Sequence, residues 1–109
     1  APPVDGAALE AIVLADLLAW ADADARGAQV LHWRTASHQE VDFVIERADG
    51  HLLGVECKAT TRPGTKDATG LRAFLGEHPE AAGGLVVHGG DAVQWLAEGV
   101  LAVPWWRVC

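Results

Sequence analysis

The stretch Leu53-Gly54-Val55-Glu56-Cys57-Lys58-Ala59 constrains this chain more than any other. It reads as a buried strand, being mostly apolar and following a hairpin signal, Ala48-Asp49-Gly50. Glu56 and Lys58 stand two residues apart, so they point to one face of a sheet. Such side chains are rarely buried unless paired or liganded. Upstream, Glu40-Val41-Asp42-Phe43-Val44-Ile45 reads as the neighbouring strand and carries another acid. The hairpin brings the two strands together. The sheet therefore has to accommodate Asp42, Glu56 and Lys58 at one place.

The remaining segments read as scaffolding. Ala1-Pro2-Pro3 is an extended lead-in. Asp5 is a helix N-cap, and residues 7–25 follow as helix. Leu9, Ile12, Val13, Leu17 and Trp20 recur at helical spacing and form its packing stripe. Glu10 falls at the edge of that stripe and Asp16 near its middle; Gly27 ends the helix. Residues 29–35, 40–47 and 51–59 then form an antiparallel meander. In the second strand Val41, Phe43 and Ile45 alternate against Asp42, Val44 and Glu46. A loop at 60–65 leads to a helix over 67–77, with Leu71, Phe74 and Leu75 turned inward. Residues 85–88 suit a buried strand, and 92–97 a helical turn or a poor strand. Residues 100–103 lead to Pro104, after which 105–108 close the chain as an edge strand, where proline is tolerated. The expected fold is α/β, a mixed sheet flanked by helices in the order α-β-β-β-α-β with a short final strand.

The 109 residues suffice for one domain with one modest core, and half of them are hydrophobic. The net charge of -7 argues against a free-standing, high-affinity nucleic-acid binder, which would show a basic patch. It leaves room for an enzyme that meets phosphates through bound cations. Two cysteines, one in the central strand and one terminal, imply no disulfide framework; a reduced, cytoplasmic setting is expected. No apolar run reaches membrane-spanning length. The start at Ala-Pro-Pro and the lack of methionine suggest a piece of a longer chain.

Asp42 and Glu56 on adjacent strands make a hard, oxygen-rich site suited to Mg²⁺ or Mn²⁺. Such an ion polarises a phosphoryl oxygen and activates water, and the Lys58 ammonium can orient that water or stabilise developing charge. Glu10 offers a further carboxylate, and the Cys57 carbonyl a further ligand. The plainer alternative is a satisfied Glu56–Lys58 ion pair on a half-exposed face, with Asp42 a surface acid. Clustered charge on buried strands is costly without a role, which brings the two readings level. The five histidines lack metal-ligand spacing and read as surface or loop residues. Cys57 reads as a small core residue rather than a nucleophile. Gly83-Gly84 and Gly89-Gly90 read as turns, since no Gly-Lys-Ser/Thr follows them. Trp20 and Trp33 sit at core spacing; Trp105-Trp106 cover a sheet edge or a subunit contact.

The ordered set of Glu10 on a helix, Glu40-Val41-Asp42-Phe43, and Val55-Glu56-Cys57-Lys58 resembles the PD-(D/E)XK nuclease-like superfamily. A closer resemblance is to a domain of unknown function at the C-terminus of prokaryotic AAA-type P-loop ATPases. It rests on Leu9-Glu10 through Asp16-Leu17, Trp33-Arg34, Glu40 to Phe43, Glu56-Cys57-Lys58-Ala59-Thr60 and Val103-Pro104. The resemblance spans nearly the whole chain and accounts for the acid at Asp16. It implies a restriction-endonuclease-like fold. It further implies Asp42, Glu56 and the Cys57 carbonyl as ligands of Mg²⁺ or Mn²⁺, Lys58 and Glu10 as catalytic, and Asp16, Arg34 and Thr60 as accessory. DNA is the implied substrate and an ATPase domain of the same chain the implied partner. No Walker motif occurs in these residues, so a second class of function is carried alongside: a non-catalytic nuclease-fold module that docks to a motor or another protein.

Overall fold

A computed structural model of the chain describes residues 3–35 and 37–109. Of the extended lead-in, Ala1 and Pro2 lie outside the described residues. Helix α1 (Gly6–Ala23) is followed by strands β1 (Ala28–Arg34), β2 (Glu40–Arg47) and β3 (Leu52–Lys58). A 3-10 turn (Thr65–Ala68) runs into helix α2 (Thr69–Glu77). Strands β4 (Gly83–His88), β5 (Gln94–Ala97) and β6 (Val100–Pro104) and a short helix α3 (Trp105–Val108) complete the chain. The strands form one six-stranded mixed sheet in the order β1-β2-β3-β4-β6-β5. β1, β2 and β3 pair antiparallel as a meander; β3, β4 and β6 run parallel; β5 folds back antiparallel on β6.

The α/β expectation therefore holds: a mixed sheet lies between helices. The Asp5 side chain accepts the Ala8 N–H at 2.8 Å, which starts α1 where the N-cap reading placed it. Asp24 rather than Gly27 caps its other end; Gly27 takes up a φ of 83° in the turn that leads to β1.

Each sheet face has its own core. Leu9 and Val13 of α1 pack with Ile45, Val55, Val87 and Val103 on one face. Leu71 and Phe74 of α2 pack with Val41, Val44, Val86 and Val100 on the other. The second helix sits unusually close to the sheet because Gly54 and Gly84, register partners on β3 and β4, offer no side chains beneath it. A Cβ on Gly54 would stand 2.7 Å from Leu71 Cδ2. That close approach brings the start of α2 down onto the end of β3, where Glu56 and Lys58 emerge.

Three sequence expectations are corrected and one open alternative is resolved. Residues 105–108 are helix, not an edge strand: Pro104 ends a β6 that pairs with buried β4, and β5 forms the edge instead. Residues 92–97 resolve to the strand reading, over Gln94–Ala97. Trp20 is not core; it is 44% exposed and lies under the Arg47 guanidinium, 5.9 Å from the ring centroid. Trp20→Ala is therefore expected to cost about 1 kcal/mol in denaturant unfolding rather than the 3–5 of a buried tryptophan. Strict alternation in β2 also fails. Leu31 pairs with Val44 and Trp33 with Val41, so β2 carries one extra residue opposite His32. This bulge puts Val41 on the α2 face beside Val44, while Phe43 and Ile45 face α1.

Candidate functional site

The bulge falls on Asp42, and its effect is to turn the Asp42 carboxylate toward β3. Asp42 Oδ2 accepts the Cys57 N–H at 2.8 Å. On the other side of the bulge, the Asp42 carbonyl lies 3.2 Å from His32 Nδ1. The acid is thus anchored at both ends. An extended strand turns the N–H and C=O of one residue to the same flank, so the Cys57 carbonyl faces the Asp42 side of β3.

Glu56 is 8% exposed, one of the few charged or polar side chains buried in the molecule. Its carboxyl is raised from the ordinary carboxylate range to about 8. Burial is the largest cause; a hydrogen bond shared with Asp42 and the Asp42 charge add to it, against a smaller opposing pull from Lys58. Two carboxyls are thus held together where they cannot both ionise cheaply. Lys58 extends from the same face of β3, is exposed, and lines the same pocket.

That pocket holds about 300 Å³. Glu40, Asp42, Glu56 and Lys58 line it from β2 and β3; Lys66, Asp67, Thr69 and Gly70 line it from the 3-10 turn and the start of α2. His38, in the β1–β2 turn with a positive φ of 66°, stands at its rim. None of Lys66, Thr69, Gly70 and His38 was singled out from sequence. Only the docking of α2 over the Gly54–Gly84 pair brings Lys66, Thr69 and Gly70 there.

The other expected residues lie elsewhere. Glu10 is exposed on α1, outside the pocket, on the opposite face of the sheet, where its charge acts on the Cys57 thiol. Asp16 lines a separate cavity with Val13, Leu17 and the C-terminal Val108 and Cys109. Arg34 forms an ion pair with Glu40 at the mouth of the β1–β2 turn. Thr60 sits in the loop after β3, where its side chain accepts the Arg62 N–H at 3.1 Å. Among the described residues, no group of three or more His, Cys, Asp or Glu side chains is placed to hold a metal ion. Any cation here has two carboxylates and backbone oxygen to meet it.

Two further readings can be placed. Cys57 packs into the α1-side core as expected, and burial pushes its thiol up to about 12. The native protein should therefore show one fast-reacting thiol toward a disulfide reagent, the exposed Cys109. The half-buried Cys57, its thiol raised to about 12, should react much more slowly; two equally fast thiols would contradict its packing against the α1-side core. The histidine reading is wrong for His88, which is fully buried. Its Nδ1 accepts the Gly90 N–H and its Nε2 faces the Ala92 carbonyl, both at 2.9 Å, so it ties down the β4–β5 turn. An isolated histidine at the end of an apolar run gave no signal of that.

The sequence profile of one domain family, described as Domain of unknown function (DUF4143), matches residues 5–108. The chain belongs to the DUF4143 family. Comparisons of this DUF4143 domain with curated proteins and with solved structures gave no match. Among the described residues, no helix of the domain is long and apolar enough to cross a membrane.

Proposed function

We propose that this domain carries a PD-(D/E)XK nuclease-like site for hydrolysis of DNA phosphodiester bonds with Mg²⁺ or Mn²⁺. The observation that carries the reading is the Asp42–Glu56 pair. Two carboxyls share a hydrogen bond where Glu56 is buried and Asp42 half-buried, and Glu56 is held protonated near neutral pH first by its burial and then by Asp42. Such a pair gains most from an oxygen-seeking divalent cation, which would allow both to ionise. The donor set fits that ion: Asp42, Glu56 and the Cys57 carbonyl stand on one flank of adjacent rigid strands. A bound ion there would polarise the phosphoryl group and lower the pKa of a water.

The chain's own residues have separate tasks. The Cys57 N–H fixes the Asp42 carboxylate in direction. Lys58, with no ion-pair partner among the described residues, is free to orient the attacking water or to meet charge developing on the phosphate. Glu10, across the sheet from the pocket, has no part in this arrangement. The resemblance to C-terminal domains of AAA-type ATPases supports an ATPase domain of the same chain as partner, in a cytoplasmic setting.

The net charge of -7 favours a second reading, a nuclease-fold module that docks to a partner without cleaving. Cleavage assays separate the two. Wild type should cut single- or double-stranded DNA in Mg²⁺ or Mn²⁺, and Asp42→Ala and Lys58→Ala should each lose about 100-fold or more. Cleavage that survives both substitutions would reject the site; no cleavage by a wild type that is folded and metal-bound would favour the docking module.

A further inference from the structure

The pocket has a second wall that the site residues of β2 and β3 do not supply. It comes from the 3-10 turn and the first turn of α2, and it carries a second ammonium, Lys66. The segment is built to hold Lys66 in place. The Gly64 N–H donates to Asp67 Oδ2 at 2.8 Å, and the Asp67 N–H returns to the Gly64 carbonyl at 2.9 Å. The Thr69 hydroxyl donates to the Lys66 carbonyl at 2.8 Å. Hydrogen bonds thus brace the backbone on both sides of residue 66, while its side chain is exposed and makes no ion pair among the described residues.

The charge pattern of the pocket then has a direction. Of the carboxyl pair Glu56 is buried and Asp42 half-buried, and Glu40 and Asp67 add two more carboxylates to the lining. Lys58 lines the pocket from β3 and Lys66 from the turn. In a chain with eight lysines and arginines against fifteen acids, two unpaired lysines facing one pocket stand out. A lysine is a flexible point charge suited to a phosphate oxygen.

We propose that Lys66 is a phosphate-binding residue that holds the DNA backbone across the pocket from Lys58. The proposal rests on reading the Asp42–Glu56 pocket as a phosphodiester site. Lys66 contacts the substrate strand next to the reacting phosphate, so it contributes to binding rather than to the chemical step.

The test reads DNA affinity and metal affinity separately. Binding of a fluorescein-labelled DNA duplex is followed by anisotropy over a range of salt, in Ca²⁺ and in chelator. Mn²⁺ binding is followed by calorimetry. Lys66→Ala should weaken DNA binding about fivefold and lower the salt slope by about one, while Lys66→Arg stays near wild type. Mn²⁺ affinity should be unchanged in both. Unchanged DNA affinity and salt slope in Lys66→Ala, with Mn²⁺ still bound, would overturn the assignment and leave the metal site standing. Loss of Mn²⁺ binding in Lys66→Ala would also overturn it, since the residue would then act on the carboxylates. A wild type that binds no DNA overturns it as well. DNA binding that depends on Lys66 in a protein that binds no Mn²⁺ would support the phosphate contact and reject the metal reading alone.

Discussion

Glu56→Gln is expected to abolish divalent-cation binding and, in the same variant, to stabilise the fold at alkaline pH. The two effects have one cause. In the folded chain the Glu56 carboxyl titrates at about 8, against an ordinary value near 4.5. Between those values the folded state holds a proton that the unfolded state has lost. Unfolding free energy must therefore fall as pH rises through that window, and stay low above it. A neutral amide of the same shape has no charge to bury. Below about pH 4.5 wild type and variant should have similar stability. At pH 9 the variant should be more stable by about 2 kcal/mol, a figure reduced from the full shift because the pocket is open to solvent. Urea unfolding across this range reads the difference. A wild type whose stability does not decline between pH 5 and 9 relative to Glu56→Gln would show that the carboxyl is not strained (the pH values follow from the linkage relation). A residue that costs stability in the folded chain is the expected mark of a functional position.

Gly70→Ala is expected to cost about 2 kcal/mol and to damage the site, although alanine is the better helix former. Gly70 lies in the first turn of α2 and is buried. A Cβ there would run into the Glu40 backbone carbonyl and stand 3.2 Å from Glu56 Oε2. The carbonyl belongs to β2 and cannot rotate away as a side chain could. Overpacking of this kind costs about 1–3 kcal/mol, and the propensity gain of about 1 kcal/mol returns only part of it. Either α2 lifts from the sheet or the Glu56 carboxyl moves. Both outcomes disturb the pocket, so Mn²⁺ affinity should fall about tenfold or more even where the protein remains folded. Thermal unfolding and Mn²⁺ titration check the two halves. A Gly70→Ala domain with native stability and native Mn²⁺ affinity would contradict the close approach of α2 to Glu56.

The site was legible in the sequence where it depends on local pattern. Glu56 and Lys58 share a face because strands have a period of two, and the Asp49-Gly50 turn sets β2 beside β3. What the sequence hid was the bulge. Val41, Phe43 and Ile45 looked like one apolar face, and only pairing with β1 shows an extra residue opposite His32. Asp42 owes its aim at Cys57 to that irregularity rather than to alternation. Gly54 and Gly70 carried no visible signal either, and Gly83-Gly84, read as a turn, instead opens β4, because a glycine in a strand or helix shows its reason only through what packs against it. Lys66 reaches the pocket by the docking of α2, which no spacing encodes, and His38 by the β1–β2 turn. Glu10 failed in the opposite way: its motif position is apt, yet α1 lies across the sheet from the pocket, with Leu9 beside it committed to the core. Trp105 and Trp106 read as an edge strand because Pro104 is tolerated at an edge; the pairing of β6 with β4 instead ends at Pro104.

The central claim is that Asp42 and Glu56 share a proton where a divalent cation would otherwise sit. Calorimetric titration of Mn²⁺ into the wild-type domain at pH 7, in two buffers of different ionisation enthalpy, tests it most directly. Because Glu56 is still mostly protonated at that pH, binding should release about one proton, and affinity should rise with pH until near 8. Asp42→Ala and Glu56→Gln should each remove the binding heat. Binding with no proton release, or binding that survives both substitutions, would contradict the claim.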